Sequence, residues 1–133
     1  MKLLTKSTDY AVRALIVLAG ARGEYFSARE IAHRQDMPYQ FVRRVLQTLI
    51  KSGLVESKEG SRGGVRLLKD PRGIKLEDII KMFQGNIQLS ECVFRKKICS
   101  NRATCVLRKQ INLIEDKVAR EFRGITIAKL MKA

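Results

Sequence analysis

Residues 27–53 hold the start and stop signals of two helices in close succession, and no other stretch limits the fold as strongly. Ser27-Ala28-Arg29-Glu30 is a capping box. The serine oxygen takes one orphan N–H of a helix start, and the glutamate reaches back for another, ahead of the short apolar face Ile31-Ala32. After Gln35-Asp36-Met37 the chain starts again at Pro38, whose missing N–H costs nothing in a first helical turn. Phe41, Val45, Leu46, Leu49 and Ile50 then form one stripe, which predicts a helix over residues 38–52 closed by Gly53. Two helices joined by so short a turn make a helix-turn-helix corner.

The flanking sequence supplies the remaining elements. Tyr10, Ala14, Val17, Leu18 and Ala21 recur at three- and four-residue steps behind a capping oxygen from Ser7 or Thr8, predicting a first helix that ends between Gly20 and Gly23. Residues 54–58 and 65–69 are short β-prone runs around the Gly-rich stretch 59–64, a hairpin pattern. Asp70-Pro71-Arg72-Gly73 turns the chain into a helix bearing Leu76, Ile79, Ile80 and Phe83, which stops at Gly85. Residues 86–104 lack periodicity and are expected to form an ordered loop. Cys105 opens a long amphipathic helix with Leu107, Ile111, Ile114, Val118 and Phe122 on one side. The expected fold is mainly α with a small β-hairpin wing: a winged helix-turn-helix over residues 1–85, a loop over 86–104, and a long helix with a C-terminal segment over 105–133. With 45% hydrophobic and 30% charged residues the chain can fill a core. No apolar run approaches the roughly 20 residues of a membrane span, and the first residues lack a leader's apolar stretch, so a cytoplasmic protein is expected.

In such a fold the second helix of the pair enters the major groove of DNA, with its N-terminal residues at the base edges. That stretch is Tyr39-Gln40-Phe41-Val42-Arg43-Arg44. Helical geometry turns Phe41 and Val45 inward and leaves Tyr39, Gln40, Arg43 and Arg44 for DNA or solvent. Gln can pair with adenine and Arg with guanine, each good pair being worth about 1–3 kcal/mol of discrimination. The hairpin offers Lys58, Ser61, Arg62 and Arg66, and Gly60, Gly63 and Gly64 would permit close backbone approach. Ser27 at the helix-pair entrance completes the expected contacts. The alternatives are an ordinary solvated helix face and an ordinary surface hairpin. Lys plus Arg number 27 against 13 Asp plus Glu, a net charge of +14. Residues 1–85 hold 16 basic and 9 acidic residues and 86–133 hold 11 and 4, so the excess is not confined to the DNA-reading half. A general polyanion partner, whose binding weakens steeply with salt, follows from the total.

Three cysteines, Cys92, Cys99 and Cys105, are spaced C-x6-C-x5-C, with connections long enough to bring three sulfurs to one point. Arg95, Lys96, Lys97, Arg102, Arg108 and Lys109 surround them with no intervening acid. That field favours thiolates and offsets the charge of a thiolate-ligated cluster. Zinc prefers C-x2-4-C pairs and a closed set of four ligands, and neither is present. Iron–sulfur chemistry is favoured, with small buried hydrophobes or redox-active free thiols as the alternatives.

Residues 4–15 (Leu4-Thr5-Lys6-Ser7-Thr8-Asp9-Tyr10-Ala11-Val12-Arg13-Ala14-Leu15), Leu46-Gln47-Thr48-Leu49 with Gly53-Leu54-Val55, Gly63-Gly64-Val65-Arg66-Leu67 and the three cysteines together resemble the IscR, NsrR and RirA family of bacterial winged-helix regulators. The resemblance spans nearly the whole chain. It implies a homodimeric transcription factor joined through the helix after Cys105, whose three cysteines carry an iron–sulfur cluster that controls affinity for a double-stranded operator. IscR-type members place a histidine three residues after the last cysteine, where this chain has Arg108, and its only histidine is His33. NsrR-type members use an aspartate in the first helix of the other subunit, at the position matched by Asp9. The resemblance thus implies a 4Fe-4S rather than a 2Fe-2S cluster with Asp9 as fourth ligand; the alternative for Asp9 is an acid favoured by the helix macrodipole. His33 is expected at the surface. Many members carry Arg before the first wing glycine where this chain has Glu59, so a changed operator is expected, with Arg62 as a replacement.

No Gly-rich nucleotide loop, catalytic carboxylate pair or second cluster motif appears, so an enzyme and a small-molecule substrate are not expected. An iron–sulfur electron carrier is disfavoured on the same grounds. A regulator with a thiol or zinc switch would keep the DNA function and change only the sensor.

Overall fold

The computed structural model describes residues 3–89 and 105–132. Helix α1 (Lys6–Gly20) is capped by Thr5, whose side chain accepts from the Thr8 N–H, so the cap lies two or three residues earlier than expected. The Thr8 hydroxyl is instead buried and donates to Gln84 at 2.7 Å. Helices α2 (Ala28–Gln35) and α3 (Tyr39–Ser52) form the corner. Both halves of the capping box are made, with Glu30 N to Ser27 Oγ at 3.1 Å and Ser27 N to Glu30 Oε1 at 3.3 Å. Pro38 is the N-cap of α3, one place before the first helical turn, and Gly53 ends the helix in the left-handed conformation.

Strands β1 (Val55–Lys58) and β2 (Gly64–Leu67) pair antiparallel with Val55 opposite Leu67 and Lys58 opposite Gly64. Each is shorter than its apolar run. The hairpin is fastened to the body by Phe26, which exchanges backbone hydrogen bonds with Val65 at 2.9 and 2.8 Å just before α2 begins. A Cβ on Gly64 (φ +142°) would lie 2.3 Å from the Phe26 carbonyl oxygen, and one on Gly63 would lie 2.0 Å from that of Lys58. These glycines let the hairpin close on its own protein backbone. Gly64→Ala is expected to lower unfolding free energy by about 1–3 kcal/mol in urea titration, through strain at a left-handed position with no room to relax.

A 3-10 turn (Pro71–Gly73) leads into α4 (Leu76–Gln84). Asp70 caps the turn, accepting from Arg72 N at 2.9 Å and Arg72 Nη2 at 2.8 Å, with Arg22 Nη1 at 3.6 Å. The Arg72 side chain, then its backbone N–H, hold the Asp70 carboxyl down at about 2 against an ordinary 3.8. Because the folded state prefers the carboxylate, this contribution is complete above pH 3.8 and is lost as pH falls toward 2. Asp70→Asn should flatten that part of an acid-unfolding curve and leave the curve near neutrality parallel to the original.

Leu15 and Leu18 of α1, Ile31 of α2, Leu49 of α3, and Ile79 and Ile80 of α4 are fully buried and form one core under the corner. Each such side chain contributes about 1.5–3 kcal/mol by leaving water. Helix α5 (Val106–Arg123) differs: none of its residues is buried, and Val106 and Leu107 are 71% and 70% exposed, with Leu113 at 55% and Ile114 at 47%. It is attached through Phe122, half-buried against the core, and through two polar contacts, Leu89 N to Glu115 Oε1 and Arg123 Nε to Glu77 Oε2, both 2.9 Å. Burial raises the Glu77 carboxyl, but Arg123 and Lys81 outweigh burial and leave it below the ordinary range.

The chain then returns to the core. Leu76 N donates to Ile125 O and Ile127 N to Ile74 O, both at 2.9 Å, and a final helix α6 (Ile127–Met131) packs on α1 with Ile127 fully buried. Residues 125–132 are too few for a periodic pattern to predict this element from sequence. The described residues thus form a winged helix-turn-helix, mainly helical with one hairpin, and none of their helices is long and apolar enough to cross a membrane.

Candidate nucleic-acid interface

The corner is sharp because three consecutive residues each do a separate job. Asp36 takes the left-handed conformation (φ 51°) that ends α2, Met37 donates to Ala32 O at 2.8 Å and buries its side chain, and Pro38 begins α3. Helix α3 therefore leaves with one face committed to the core through Val42, Val45, Leu46 and Leu49. Phe41, expected in the core, is only half-buried, lying edge-on to Tyr10 with ring centres 4.9 Å apart. Val42, at 1% exposure, takes the inward place because the stripe is rotated by one residue at the start of the helix.

Opposite that face, Gln40, Arg43, Arg44 and Gln47 are exposed and together line a shallow depression. Tyr39 is half-buried, with the Arg29 guanidinium 4.3 Å and the Arg43 guanidinium 5.8 Å from its ring centre. Arg44 lies 5.4 Å from the centre of the Phe41 ring. Among the described residues no carboxylate is paired with Arg43 or Arg44, so both cations remain available to an outside anion. Gln47 joins the expected residues, because seven residues past Gln40 the helical period returns to the same face.

On the hairpin, Lys58, Ser61 and Arg62 are exposed as expected. Arg66, counted as a wing cation, is withdrawn from that role. It stands opposite Glu56 in the strand register and forms an ion pair with it, while the Tyr25 hydroxyl donates to Glu56 Oε1 at 3.0 Å. Those hydrogen bonds, Tyr25's first and Arg66's second, hold the Glu56 carboxyl below its ordinary range. Burial first, then the bond to Glu56, raises the Tyr25 hydroxyl. Ser27 keeps its hydroxyl proton free to donate, since its oxygen acts as acceptor in the capping box. Gly63 serves the hairpin's closure, as described above.

Of the proposed metal ligands, Cys92 and Cys99 lie outside the described residues, as do Arg95, Lys96, Lys97 and Arg102. Cys105 is half-buried at the N-cap of α5, its Sγ accepting from Arg108 N at 3.4 Å. Asp9, in the first turn of α1, is held by Arg13 Nε at 3.1 and 3.2 Å. No group of three His, Cys, Asp or Glu that could hold a metal forms among the described residues. The donor chemistry present is compatible with an iron–sulfur centre: a sulfur at the positive end of a helix beside Arg108, and a carboxylate in reach of solvent. His33 is exposed in the last turn of α2.

Comparison with known proteins places this geometry. A family model described as "Rrf2: Iron-dependent Transcriptional regulator" matches residues 4–133. "Protein aau3" of Rhizobium meliloti (strain 1021) is 36% identical over 132 residues, covering 98% of this chain and 85% of that protein. The HTH-type transcriptional regulator NsrR of Shouchella clausii (strain KSM-K16) is 32% identical over 111 residues, covering 83% of this chain and 71% of that one. Among solved structures, IscR of T. potens superposes with a TM-score of 0.77 at 26% identity, covering 99% of this chain and 87% of that one.

Proposed function

Because the chain belongs to the Rrf2 family of transcriptional regulators, we propose that it is a repressor whose affinity for its operator is set by an iron–sulfur cluster. The observation that carries the DNA-binding part is the row Gln40, Arg43, Arg44 and Gln47, exposed on the second helix of the corner beside a cationic wing. With α3 in the major groove, Gln40 would suit an adenine and Arg43 a guanine, while Lys58, Ser61 and Arg62 would meet phosphates or the minor groove. Ser27, Tyr39, Arg44 and Gly63 flank these contacts.

The exposed apolar side of α5 supports a homodimer. Leu107, Ile111, Ile114 and Val118 repeat at heptad-like steps along a helix with no buried residue, and a second copy is the partner that such a stripe suits. A two-fold dimer presents two α3 helices to half-sites about 34 Å apart, so a small change in their separation changes affinity strongly.

Cys92, Cys99 and Cys105 of one subunit, with Asp9 of the other, would hold the cluster, in the 4Fe-4S form. When bound, it would supply a centre that nitric oxide, oxygen or iron loss dismantles. Two contacts of the chain itself support this reading. The Cys105 sulfur caps α5, so its chemical state bears on the first turn of that helix. A carboxylate given to iron by Asp9 is one taken from Arg13. Protein purified without oxygen is expected to be coloured, with iron and sulfide in equal amounts. Cys99→Ala should lose the colour and most of the iron, with its far-ultraviolet circular dichroism unchanged. A colourless protein containing zinc, or no metal at all, would replace the cluster with a zinc or thiol switch.

A further inference from the structure

A second depression, of about 250 Å3, lies between α3 and the hairpin. Exposed Arg43, Gln47 and Ser57 line it together with the apolar Ala28, Leu46 and Val65, and no carboxylate does. Ser57 stands opposite Val65 in the strand register. Its side chain is therefore on the hairpin face turned toward α3, opposite the face that carries the Glu56–Arg66 pair.

We propose that this cleft seats the sugar–phosphate strand that runs between the two grooves, with Gln47 and Ser57 as uncharged donors to its phosphates. The inference rests on the reading of α3 as the major-groove helix. With α3 on one side of a strand and the wing on the other, the strand between the grooves must cross the gap that separates them. The cleft suits that occupant in three ways. Apolar side chains on its walls match the hydrocarbon surface of the sugars, Gln47 and Ser57 offer an amide and a hydroxyl to phosphate oxygens, and Arg43 at its edge supplies positive charge. Gln47 is thereby a positioning contact rather than a reader of sequence.

Uncharged phosphate donors leave a signature of their own. A lost base contact changes preference among sequences, and a lost cationic contact lowers the salt slope, whereas a lost neutral donor does neither. The test measures equilibrium binding of the full chain, Gln47→Ala, Ser57→Ala and the double variant. Each is titrated against the best duplex selected from a random library and against an unrelated duplex of equal length, over a series of salt concentrations. Both side chains are exposed, so the melting temperatures should be unchanged. Each single variant is expected to weaken binding to both duplexes by the same factor, about 5- to 10-fold, with an unchanged salt slope. A change in the ratio between the two duplexes would make Gln47 or Ser57 a base reader and overturn the proposal. Unaltered affinity would overturn it as well, since the cleft would then touch nothing in the complex. If the unaltered chain binds neither duplex, the reading of α3 falls, and the proposal falls with it.

Discussion

Arg43→Ala is expected to weaken binding to the preferred duplex by roughly 5- to 150-fold, corresponding to about 1–3 kcal/mol, and to erase the preference at one base pair. The side chain is exposed near the start of the reading helix and has no carboxylate partner among the described residues. The ring of Tyr39 lies beside it, with the Arg29 guanidinium 4.3 Å from that ring's centre, so a second cation stands close by and disfavours a return of Arg43 toward the protein. Arg43→Lys should recover little of the selectivity, because a single ammonium cannot match the two acceptors of a guanine edge. Binding to duplexes changed one base pair at a time separates the outcomes. Uniform weakening across that panel, with a lower salt slope, would assign Arg43 to the phosphates instead.

The other large effect concerns stability and lies far from DNA. Ile127→Ala should cost about 2–5 kcal/mol in denaturant titration, since the side chain is fully buried and its truncation leaves a cavity against α1 and the segment around Ile74. Met131, 39% exposed on the same short helix, provides the internal comparison, and Met131→Ala should change stability by less than about 0.5 kcal/mol. A loss below about 1 kcal/mol for Ile127→Ala would mean that α6 is only loosely docked.

Most of the helix-turn-helix was legible because its signals are local. The capping box at Ser27, Pro38 and Gly53 each fix a helix end within one turn of the residues that announce it. Helix α6 was not legible, because residues 125–132 are too few for periodicity and their partners, Ile74 and Leu76, are some fifty positions away in the chain. Arg66 shows the same limit at smaller range. Its charge is plain in the sequence, but only the strand register brings Glu56 opposite and cancels it. Of the wing glycines, Gly63 and Gly64 have their open side filled by the carbonyls of Lys58 and Phe26, while Gly60 faces open space. Gln47 could have been found, since the step of seven from Gln40 lies within the same arithmetic that selected Arg43 and Arg44.

The attachments of α5 have a mechanical consequence. Its far end is clamped by the Arg123–Glu77 contact and by the backbone pairing of residues 125–127 with 74–76, and Glu115 steadies its middle. The opposite end, at Cys105, extends from these anchors with its apolar flank bare. An 18-residue helix is about 27 Å long. The helix is thus a lever with its fulcrum against α4, so a force applied at the Cys105 tip would act as a torque at the anchored base.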